Sequence, residues 1–243
     1  MRNIHNPEPT MSRSGPRTCS VPANPCARLR MSTSSKPTMP TKKGPCVTAV
    51  RYYFDLVCPY SYILTPEVEQ AEDEGLIKIE WLPFELRPAP EALPEPRGTY
   101  IRDHWRDHVY GLAISHGVEI HVPCTQPRST LALALHSWAE EEGRGRAMRD
   151  AAHRAFFIKG LNLGDEEVLR QVTQEAGLDA DLAIAAAWDP ARISGLRAVR
   201  EEACGIGVHG VPTIATSEEV LYYGAASPGK IRAMLASQTE IAG

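Results

Sequence analysis

The chain has 243 residues, of which 43% are hydrophobic and 23% charged, a composition typical of a globular protein with a substantial core. Residues 1–46 contain eight Lys and Arg but only one acid, Glu8, so the net charge of −4 divides into +7 there and −11 in the rest. An acidic body argues against a general nucleic-acid-binding protein, because affinity for phosphates comes from clustered basic side chains.

The sequence also lacks the marks of a membrane or secreted protein. No stretch approaches the roughly 18 consecutive apolar residues that a membrane span needs, and the N-terminus has no apolar signal segment. We therefore expect a cytoplasmic protein with no membrane partner. In such a compartment the six cysteines are expected to be reduced thiols, and chemistry would explain any important one.

Residues 1–46 form a basic N-terminal extension rich in Pro, Ser and Thr, with no apolar period. Such a segment buries too little surface to offset the entropy of ordering, and we predict that it is disordered. Met31 and Met39 leave open a start downstream of Met1, and the basic composition leaves open a targeting leader.

From Val47 onwards the pattern predicts, in order, a strand, a helix and a strand: Val47–Phe54, Tyr60–Glu74 with an interruption at Pro66, and Leu76–Leu82. A helical period follows, in the segments Tyr100–His116, Ser129–Glu142, Arg146–Ile158, Asp165–Ala176 and Asp179–Trp188. The chain then returns to mixed structure, with a helix Pro190–Cys204, a hairpin of Pro212–Ala215 and Val220–Tyr222, and a helix Ser227–Leu235.

This order predicts an α/β fold whose core is split by a helical insertion. We place the core in residues 47–97 and 190–240, and the inserted helical domain in residues 98–189.

The motif Cys58-Pro59-Tyr60-Ser61 lies where the first strand meets the first helix. The unpaired amides and the positive end of the dipole at a helix N-terminus stabilise an anion, which would lower a thiol pKa by about one unit. Pro59 suits the first helical position, where no amide hydrogen is needed. The motif therefore predicts a reactive thiolate, although many cysteines at such positions are simply small buried hydrophobes.

A second motif, Gly210-Val211-Pro212-Thr213, opens a strand near the C-terminus. Proline is permitted at a strand start, and an X-Pro bond in a tight functional turn can be cis. We predict a cis Val211–Pro212 bond in a loop that faces Cys58.

The order of these features resembles the DsbA-like branch of the thioredoxin superfamily over nearly all of residues 48–238. The strings FDLVCPYSY, WLPFELRP, HRAFFIKGLNLGDEEVL, EAGLD and GVHGVPT resemble its FrnE-like subgroup, with relatives among the 2-hydroxychromene-2-carboxylate isomerases and kappa-class glutathione transferases. The resemblance implies a thioredoxin-like core with a helical insertion.

The resemblance also implies roles for individual residues. Cys58 would be the nucleophile, with Ser61 and Asp55 as further catalytic residues. Val211 would offer its backbone to an extended substrate or to glutathione, in the manner of strand addition. The substrate-binding set would comprise Pro59, Tyr60, His209, Val211, Pro212 and Thr213. For Asp55, a role in capping the turn stands beside a role in proton transfer.

Ser61 is a departure from dithiol members of the family, because a hydroxyl cannot attack a mixed disulfide as a second thiolate does. Glutathione or another thiol could resolve the intermediate, or the reaction is not disulfide exchange. Cys124 and Cys204 are the other cysteines beyond residue 46, and inert packing is the simpler interpretation of both.

Two further patterns lack the context that their functions require. Gly205–Gly210 matches GxGxxG but follows a helix and precedes a strand, the reverse of a dinucleotide site. His104 and His108 are four residues apart on a predicted helix, without an identifiable third ligand for a metal. We predict neither a nucleotide nor a metal, and glutathione as co-substrate.

The leading hypothesis is a thiol–disulfide oxidoreductase that acts through the single motif cysteine, Cys58, with glutathione or a partner thiol as resolver. The alternatives are a glutathione-dependent isomerase or transferase acting on a small aromatic substrate, and a non-catalytic peptide-binding or chaperone protein. The expected partner is a small-molecule or peptide thiol, and assembly into a homodimer stays open.

Overall fold

The computed structural model describes residues 48–241, and side chains of residues 49–237. The predicted extension, residues 1–46, lies outside the described residues, as do Cys19, Cys26 and Cys46. The described residues belong to one compact unit. The division into a core and an inserted helical domain at residues 98–189 stays a prediction.

Within residues 48–241, four strands form one sheet in the order β2-β1-β3-β4. Strands β1 (Thr48–Phe54) and β2 (Ile77–Pro83) are parallel, and helix α1 (Pro59–Asp73) connects them. Strand β3 (Thr213–Ala215) pairs antiparallel with β1, and β4 (Val220–Tyr223) pairs antiparallel with β3. The predicted α/β fold with a thioredoxin-like core is confirmed.

The helices between β2 and β3 lie close to the predicted segments. They are α2 (Thr99–His104), α3 (Tyr110–His116), α4 (Thr130–Glu141), α5 (Gly145–His153), α6 (Glu166–Glu175), α7 (Ala180–Ala187) and α8 (Pro190–Gly205). Two π-helical turns, Trp105–Val109 and Arg154–Ile158, join α2 to α3 and extend α5. The last helix, α9 (Lys230–Ile241), runs six residues beyond the predicted end.

The predicted interruption at Pro66 is wrong, since α1 runs through it without a break. Proline removes one amide donor from the helix and crowds the carbonyl one turn earlier, which here belongs to Tyr62. Buried contacts hold the helix together on both sides of this point, with Leu64 and Val68 each 1% exposed. The hydroxyl of Thr65 also donates to the Ser61 carbonyl at 2.8 Å. Packing therefore outweighs the local effect of one proline.

Strand β1 separates two apolar clusters, because successive side chains point to opposite faces of a sheet. Val50, Tyr52 and Phe54 belong to the larger cluster, which includes α1, α9 and the helices after β2. Tyr53 belongs to a smaller cluster that contains Cys58 and residues of α8. None of the helices between residues 48 and 241 is long and apolar enough to cross a membrane.

Candidate active site

The register of the sheet places the two predicted motifs side by side. Strand β1 ends at Phe54, and the turn to Cys58 follows at once. Tyr53 in β1 pairs with Thr213, the first residue of the antiparallel strand β3. The residues just before β3 therefore lie beside the residues just after β1. In this way, two segments about 150 residues apart in sequence meet at the same edge of the sheet.

The carboxylate of Asp55 organises the turn that carries Cys58. Its Oδ1 accepts a hydrogen bond from the amide of Val57 at 3.2 Å, and its Oδ2 accepts one from the amide of Leu86 at 2.9 Å. The Asp55 carbonyl accepts a hydrogen bond from the amide of Cys58 at 3.1 Å. The side chain is fully buried, and burial raises its pKa to about 6, although the amide of Leu86 acts in the opposite direction. Asp55 thus has the turn-capping role; a role in proton transfer stays a prediction.

Cys58 is the residue immediately before α1, and it is only 3% exposed. Its thiol donates to the carbonyl of Val211 at 3.5 Å, which holds the neutral form in place. Burial raises the pKa of Cys58 to about 11, while the backbone amide and hydroxyl of Ser61 and the amide of Tyr60 lower it. The predicted thiolate is therefore wrong for the ligand-free protein. The stabilisation expected from a helix N-terminus is smaller than the cost of removing the anion from water.

Ser61 lies one helical turn after Cys58 and is fully buried. Its hydroxyl accepts a hydrogen bond from the amide of Asp55 at 3.4 Å and is also within reach of the Cys58 sulfur, whose pKa it lowers. The three predicted catalytic residues therefore lie together. Their catalytic roles stay a prediction.

The Val211–Pro212 peptide bond is cis, as the sequence predicts. Val211 faces the thiol, whereas Thr213 is fully buried and its hydroxyl donates to the carbonyl of Gly210 at 2.7 Å. The side chain of Thr213 is thus occupied within the protein, and Pro212 is buried as well. His209 is exposed and is not part of the cavity described below. Among the four residues His209, Val211, Pro212 and Thr213, only Val211 is placed to contact a molecule bound at Cys58.

A cavity of about 300 Å³ opens above Cys58. Its lining includes the polar residues Asp55, Arg87, Gln126 and Ser129 and the ring-bearing residues Tyr60, Tyr100, His104 and Trp105. The remaining lining residues are Val57, Cys58, Pro59, Leu86, Leu93, Pro94, Ile101, Pro123, Pro127, Val211 and Tyr223. The cavity can therefore hold a small molecule that has both polar and flat apolar parts.

Two polar groups in the lining have unused hydrogen-bonding or charge capacity. The hydroxyl of Ser129 is buried, and its interaction with the Asp55 carboxylate lowers the pKa of that carboxyl; no other described group forms a hydrogen bond with it. The guanidinium of Arg87 is exposed, and within residues 49–237 it makes no ion pair. A guanidinium without a counter-ion and a hydroxyl with spare hydrogen-bonding capacity favour a polar or anionic ligand.

Several of these residues were not predicted from the sequence. His104, Tyr100 and Trp105 come from α2 and the π turn after it, which approach α1 only in the folded protein. Tyr60 hydrogen-bonds His104, with 3.0 Å between the hydroxyl oxygen and Nε2. The spacing of His104 and His108 predicts two side chains on one helical face, but spacing alone does not distinguish a metal site from a contact with Tyr60. Within residues 48–241, no three His, Cys, Asp or Glu side chains form a group able to hold a metal ion.

Neither of the other described cysteines lines the cavity. Cys124 is exposed and accepts a contact from the guanidinium of Arg97 at 3.7 Å, and Cys204 is half-buried on α8. Both are free thiols, as is Cys58. Among residues 48–241, Cys58 is thus the sole thiol in contact with the cavity.

Comparison with known proteins agrees with this architecture. Residues 49–236 match the model of the DSBA-like thioredoxin domain. The chain belongs to this family. The match covers both motifs, from the turn at Cys58 to the strands after Val211. It thereby confirms the DsbA-like resemblance, whereas assignment to the FrnE-like subgroup stays a prediction.

Two related sequences and one solved structure are similar to this chain. Uncharacterized protein YwbO of Bacillus subtilis (strain 168) is 31% identical over 133 residues, which are 54% of this chain and 66% of that protein, slightly less than two thirds of its length. The 2-hydroxychromene-2-carboxylate isomerase of Sphingobium xenophagum is 24% identical over 71% of this chain and 91% of that protein. The solved structure of cytosolic disulfide reductase DsbM from Pseudomonas aeruginosa with GSH has a TM-score of 0.64 and 21% identity, over 79% of this chain and 99% of that one.

Proposed function

We propose that the protein is a glutathione-coupled thiol–disulfide oxidoreductase that uses Cys58 as its single reactive thiol and acts as a reductase in a reducing, cytoplasmic compartment. The observation that carries the proposal is the position of Cys58: its sulfur lies at the cavity, 3.5 Å from the Val211 carbonyl, and no second described thiol shares that cavity. A lone thiol can form a mixed disulfide but cannot resolve it. A second thiol from solution must therefore enter the same cavity.

The electrostatics of the site favour reduction over oxidation. A strongly oxidising member of this fold keeps its reduced form stabilised as a thiolate. Here burial raises the pKa of Cys58 to about 11, which destabilises the thiolate. Such a thiol gives up its hydrogen and electrons to a disulfide more readily at equilibrium, although it attacks slowly because only a small fraction is thiolate at pH 7. The amides of Tyr60 and Ser61 that face the sulfur can stabilise the anion while it forms.

Glutathione matches the polar residues that line the cavity. Its carboxylates match the unpaired guanidinium of Arg87, and its peptide groups match Gln126 and the hydroxyl of Ser129. The backbone of Val211 offers a further polar contact beside the sulfur. The related fold of DsbM, solved with GSH, supports glutathione as the co-substrate.

The test is to incubate the full chain with oxidised glutathione, map adducts by mass spectrometry, and measure glutathione-dependent reduction of a small model disulfide. We expect an adduct at Cys58, whatever adducts form at the more exposed cysteines, and loss of turnover in Cys58→Ala. Cys204→Ala is the matched control, because Cys204 packs in the same apolar cluster but does not line the cavity, and it should keep full turnover. An adduct confined to Cys124, or full turnover in Cys58→Ala, would overturn the proposal.

A second candidate function is glutathione-dependent isomerisation of a small aromatic compound. The aromatic wall formed by Tyr60, Tyr100 and Trp105 favours it, since flat rings stack on such surfaces, and the Sphingobium isomerase is a relative. In this case Cys58 and Ser61 would position the sulfur of glutathione without forming a disulfide. Glutathione-dependent turnover that persists in Cys58→Ala would favour this candidate. A non-catalytic binding role would instead give no turnover in any variant.

A further inference from the structure

Tyr60 and His104 form a hydrogen-bonded pair in the wall of the Cys58 cavity. The hydroxyl of Tyr60 lies 3.0 Å from Nε2 of His104, and both residues line the cavity. Tyr60 is two residues after Cys58 on α1, while His104 is the last residue of α2. Disulfide exchange at the sulfur of Cys58 does not itself require this pair.

The position of the imidazole is fixed from three sides. The ring of Tyr100 stacks on it with a centroid separation of 5.7 Å and an interplanar angle of 12°, and the ring of Tyr60 meets it edge-on. The π-helical turn Trp105–Val109 begins at the next residue and brings the ring of His108 to 5.2 Å. π-Helical turns often occur at functional sites, where they re-aim a side chain. Here the turn follows the residue whose Nε2 faces the Tyr60 hydroxyl.

The charges around the pair leave the imidazole as an available base. Burial and the neighbouring His108 lower the pKa of His104, so the ring is neutral at pH 7 and Nε2 can accept a proton. Burial raises the pKa of Tyr60, so the phenol keeps its hydrogen. The nearby acids on the same helical segment, Asp103 and Asp107, both pair with Arg106.

Other elements contribute one charged group of each sign to the cavity lining. The loop after β2 contributes Arg87, and the turn after β1 contributes Asp55 and the neutral thiol of Cys58. Asp55 is itself held by the amides of Val57 and Leu86, and so it is tied to the turn.

We propose that His104, acting through the hydroxyl of Tyr60, is the general base that activates the second thiol, that of glutathione, when it resolves the Cys58 mixed disulfide. The inference rests on the proposed function. The thiol gives its proton to the Tyr60 oxygen as the Tyr60 proton moves to Nε2 of His104. The thiolate then attacks the glutathionyl sulfur of the mixed disulfide; a new S–S bond forms in oxidised glutathione and the bond to Cys58 breaks. The sulfur of Cys58 is reduced and takes up the proton that the imidazolium returns.

The test separates the two half-reactions in the full chain. The first is formation of the Cys58 adduct from oxidised glutathione, and the second is its release by reduced glutathione, followed by rapid quench and intact mass from pH 6 to 9. The variants are Tyr60→Phe, which removes a single oxygen, and His104→Gln. His121→Gln is the matched control, because His121 is exposed and does not line the cavity. Thermal melting of each variant checks the fold.

The pH dependence of release is the readout that a purely structural role would not change. In the wild type, release should level off above pH 7, because the base is then neutral. In Tyr60→Phe and His104→Gln, release should fall about 30-fold at pH 7, because an ordinary thiol with a pKa of about 8.5 is only about 3% ionised there. The rate should then rise about tenfold per pH unit and approach that of the wild type near pH 9. His121→Gln should follow the wild type over the whole pH range.

Three other outcomes would each refute the inference or the proposed function. If the adduct forms and both variants release it with the wild-type rate and profile, the general base is refuted and the proposed function stands. If both half-reactions slow equally and the profiles keep their shape, the pair only positions the site, and the inference is refuted. If no adduct forms at Cys58 in the wild type, the proposed function fails and the inference falls with it.

Discussion

The sulfur of Cys58 is under two opposing influences, and their balance determines how the protein reacts. Three hydrogen-bond donors from Tyr60 and Ser61 face the sulfur and favour the thiolate. Burial at 3% exposure, with the Val211 carbonyl as acceptor, favours the thiol. Burial has the larger effect on the pKa, because the loss of hydration destabilises the thiolate more than a few hydrogen-bond donors stabilise it. A ligand that brings its own donors would shift this balance.

Alkylation of Cys58 should therefore be slow at neutral pH. We expect iodoacetamide to modify the exposed Cys124 before Cys58 at pH 7, because the thiolate is the reacting form. The rate at Cys58 should rise about tenfold per pH unit up to pH 9 without levelling off, given a pKa of about 11. Peptide mapping after timed alkylation measures both rates, with Cys58→Ala as the control for assignment. A rate at Cys58 that levels off below pH 8 would show that the thiolate is already formed.

Ser61 distinguishes the candidate mechanisms. If its hydroxyl stands where a resolving thiol is needed, Ser61→Cys should form a disulfide with Cys58 one helical turn away, gain dithiol oxidase activity and lose dependence on glutathione. The loss of the hydrogen bond from the amide of Asp55 should cost about 1 kcal/mol of stability. Ser61→Ala shares that loss without adding a thiol, and so it is the matched control.

Insulin reduction and glutathione-dependent turnover would be measured for wild type, Ser61→Cys and Ser61→Ala. If Ser61 instead orients the sulfur of glutathione, Ser61→Cys should trap the site as a disulfide without oxidase turnover. That result would favour the isomerase candidate.

Among the secondary elements, β4 contributes Tyr223 to the lining of the cavity. Thr213 pairs with Tyr223, and this register places the Tyr223 ring against Gly210. A Cβ on residue 210 would lie 2.6 Å from the Tyr223 hydroxyl and 2.9 Å from its Cε2. Because Tyr223 is 62% exposed, its ring can swing into solvent with little loss of stability.

Gly210→Ala should therefore weaken substrate binding while leaving the fold intact. We expect KM for a disulfide substrate to rise several-fold, kcat to change little, and the melting temperature to fall by no more than a few degrees. Tyr223→Ala removes the same ring directly and should reproduce the rise in KM. If Gly210→Ala lowers kcat and leaves KM unchanged, the ring does not contribute to binding.

The regular elements could be predicted from the sequence because each depends on its own residues. β1, β2, α8 and the hairpin lie within two residues of their predicted ends, since apolar period, Gly and Pro specify them locally. The continuity of α1 through Pro66 and the π turns depend instead on tertiary packing. For the same reason two features could not be predicted. The contact between Tyr60 and His104 joins residues distant in sequence, and the burial that raises the Cys58 pKa comes from packing with residues such as Val211.

At the scale of the whole molecule, a buried polar cluster joins the helices to the sheet. Arg149 of α5 is 2% exposed, pairs with Glu69 of α1 at 2.9 Å and with Glu140 of α4, and lies 3.5 Å from the ring centroid of Trp81 in β2. His136 of α4 lies 3.1 Å from the Arg149 guanidinium. This cluster connects four elements at once, so its protonation acts on the stability of the fold.

Two buried histidines make that stability depend on pH. Burial, with a smaller contribution from the charge of Arg149, lowers the pKa of His136 to about 4 and that of His153 to about 3. Both are neutral in the folded protein but bind protons near pH 6.5 once unfolded, so the stability they provide is complete above pH 6.5 and is lost as the pH falls towards 4 and 3. Asp55 acts in the opposite direction, since burial raises its pKa to about 6 and the folded state gains a proton there. In the wild type, the slope of the free energy of unfolding against pH is therefore the difference between these effects.

Replacing one histidine isolates its contribution to the pH dependence of stability. Nε2 of His153 is buried without a hydrogen-bond partner, and its ring packs 5.0 Å from the ring of Tyr62, so His153→Phe keeps the aromatic contact and removes the titrating group. Between about pH 6 and pH 4, unfolding of the variant should take up one proton fewer, and its free energy of unfolding should fall less steeply by about 1.4 kcal/mol per pH unit. Urea denaturation at several pH values measures the slope, and His121→Gln, an exposed histidine, should leave it unchanged. Parallel curves for wild type and His153→Phe would mean that His153 titrates alike in the folded and unfolded states, and that its burial does not contribute to acid sensitivity.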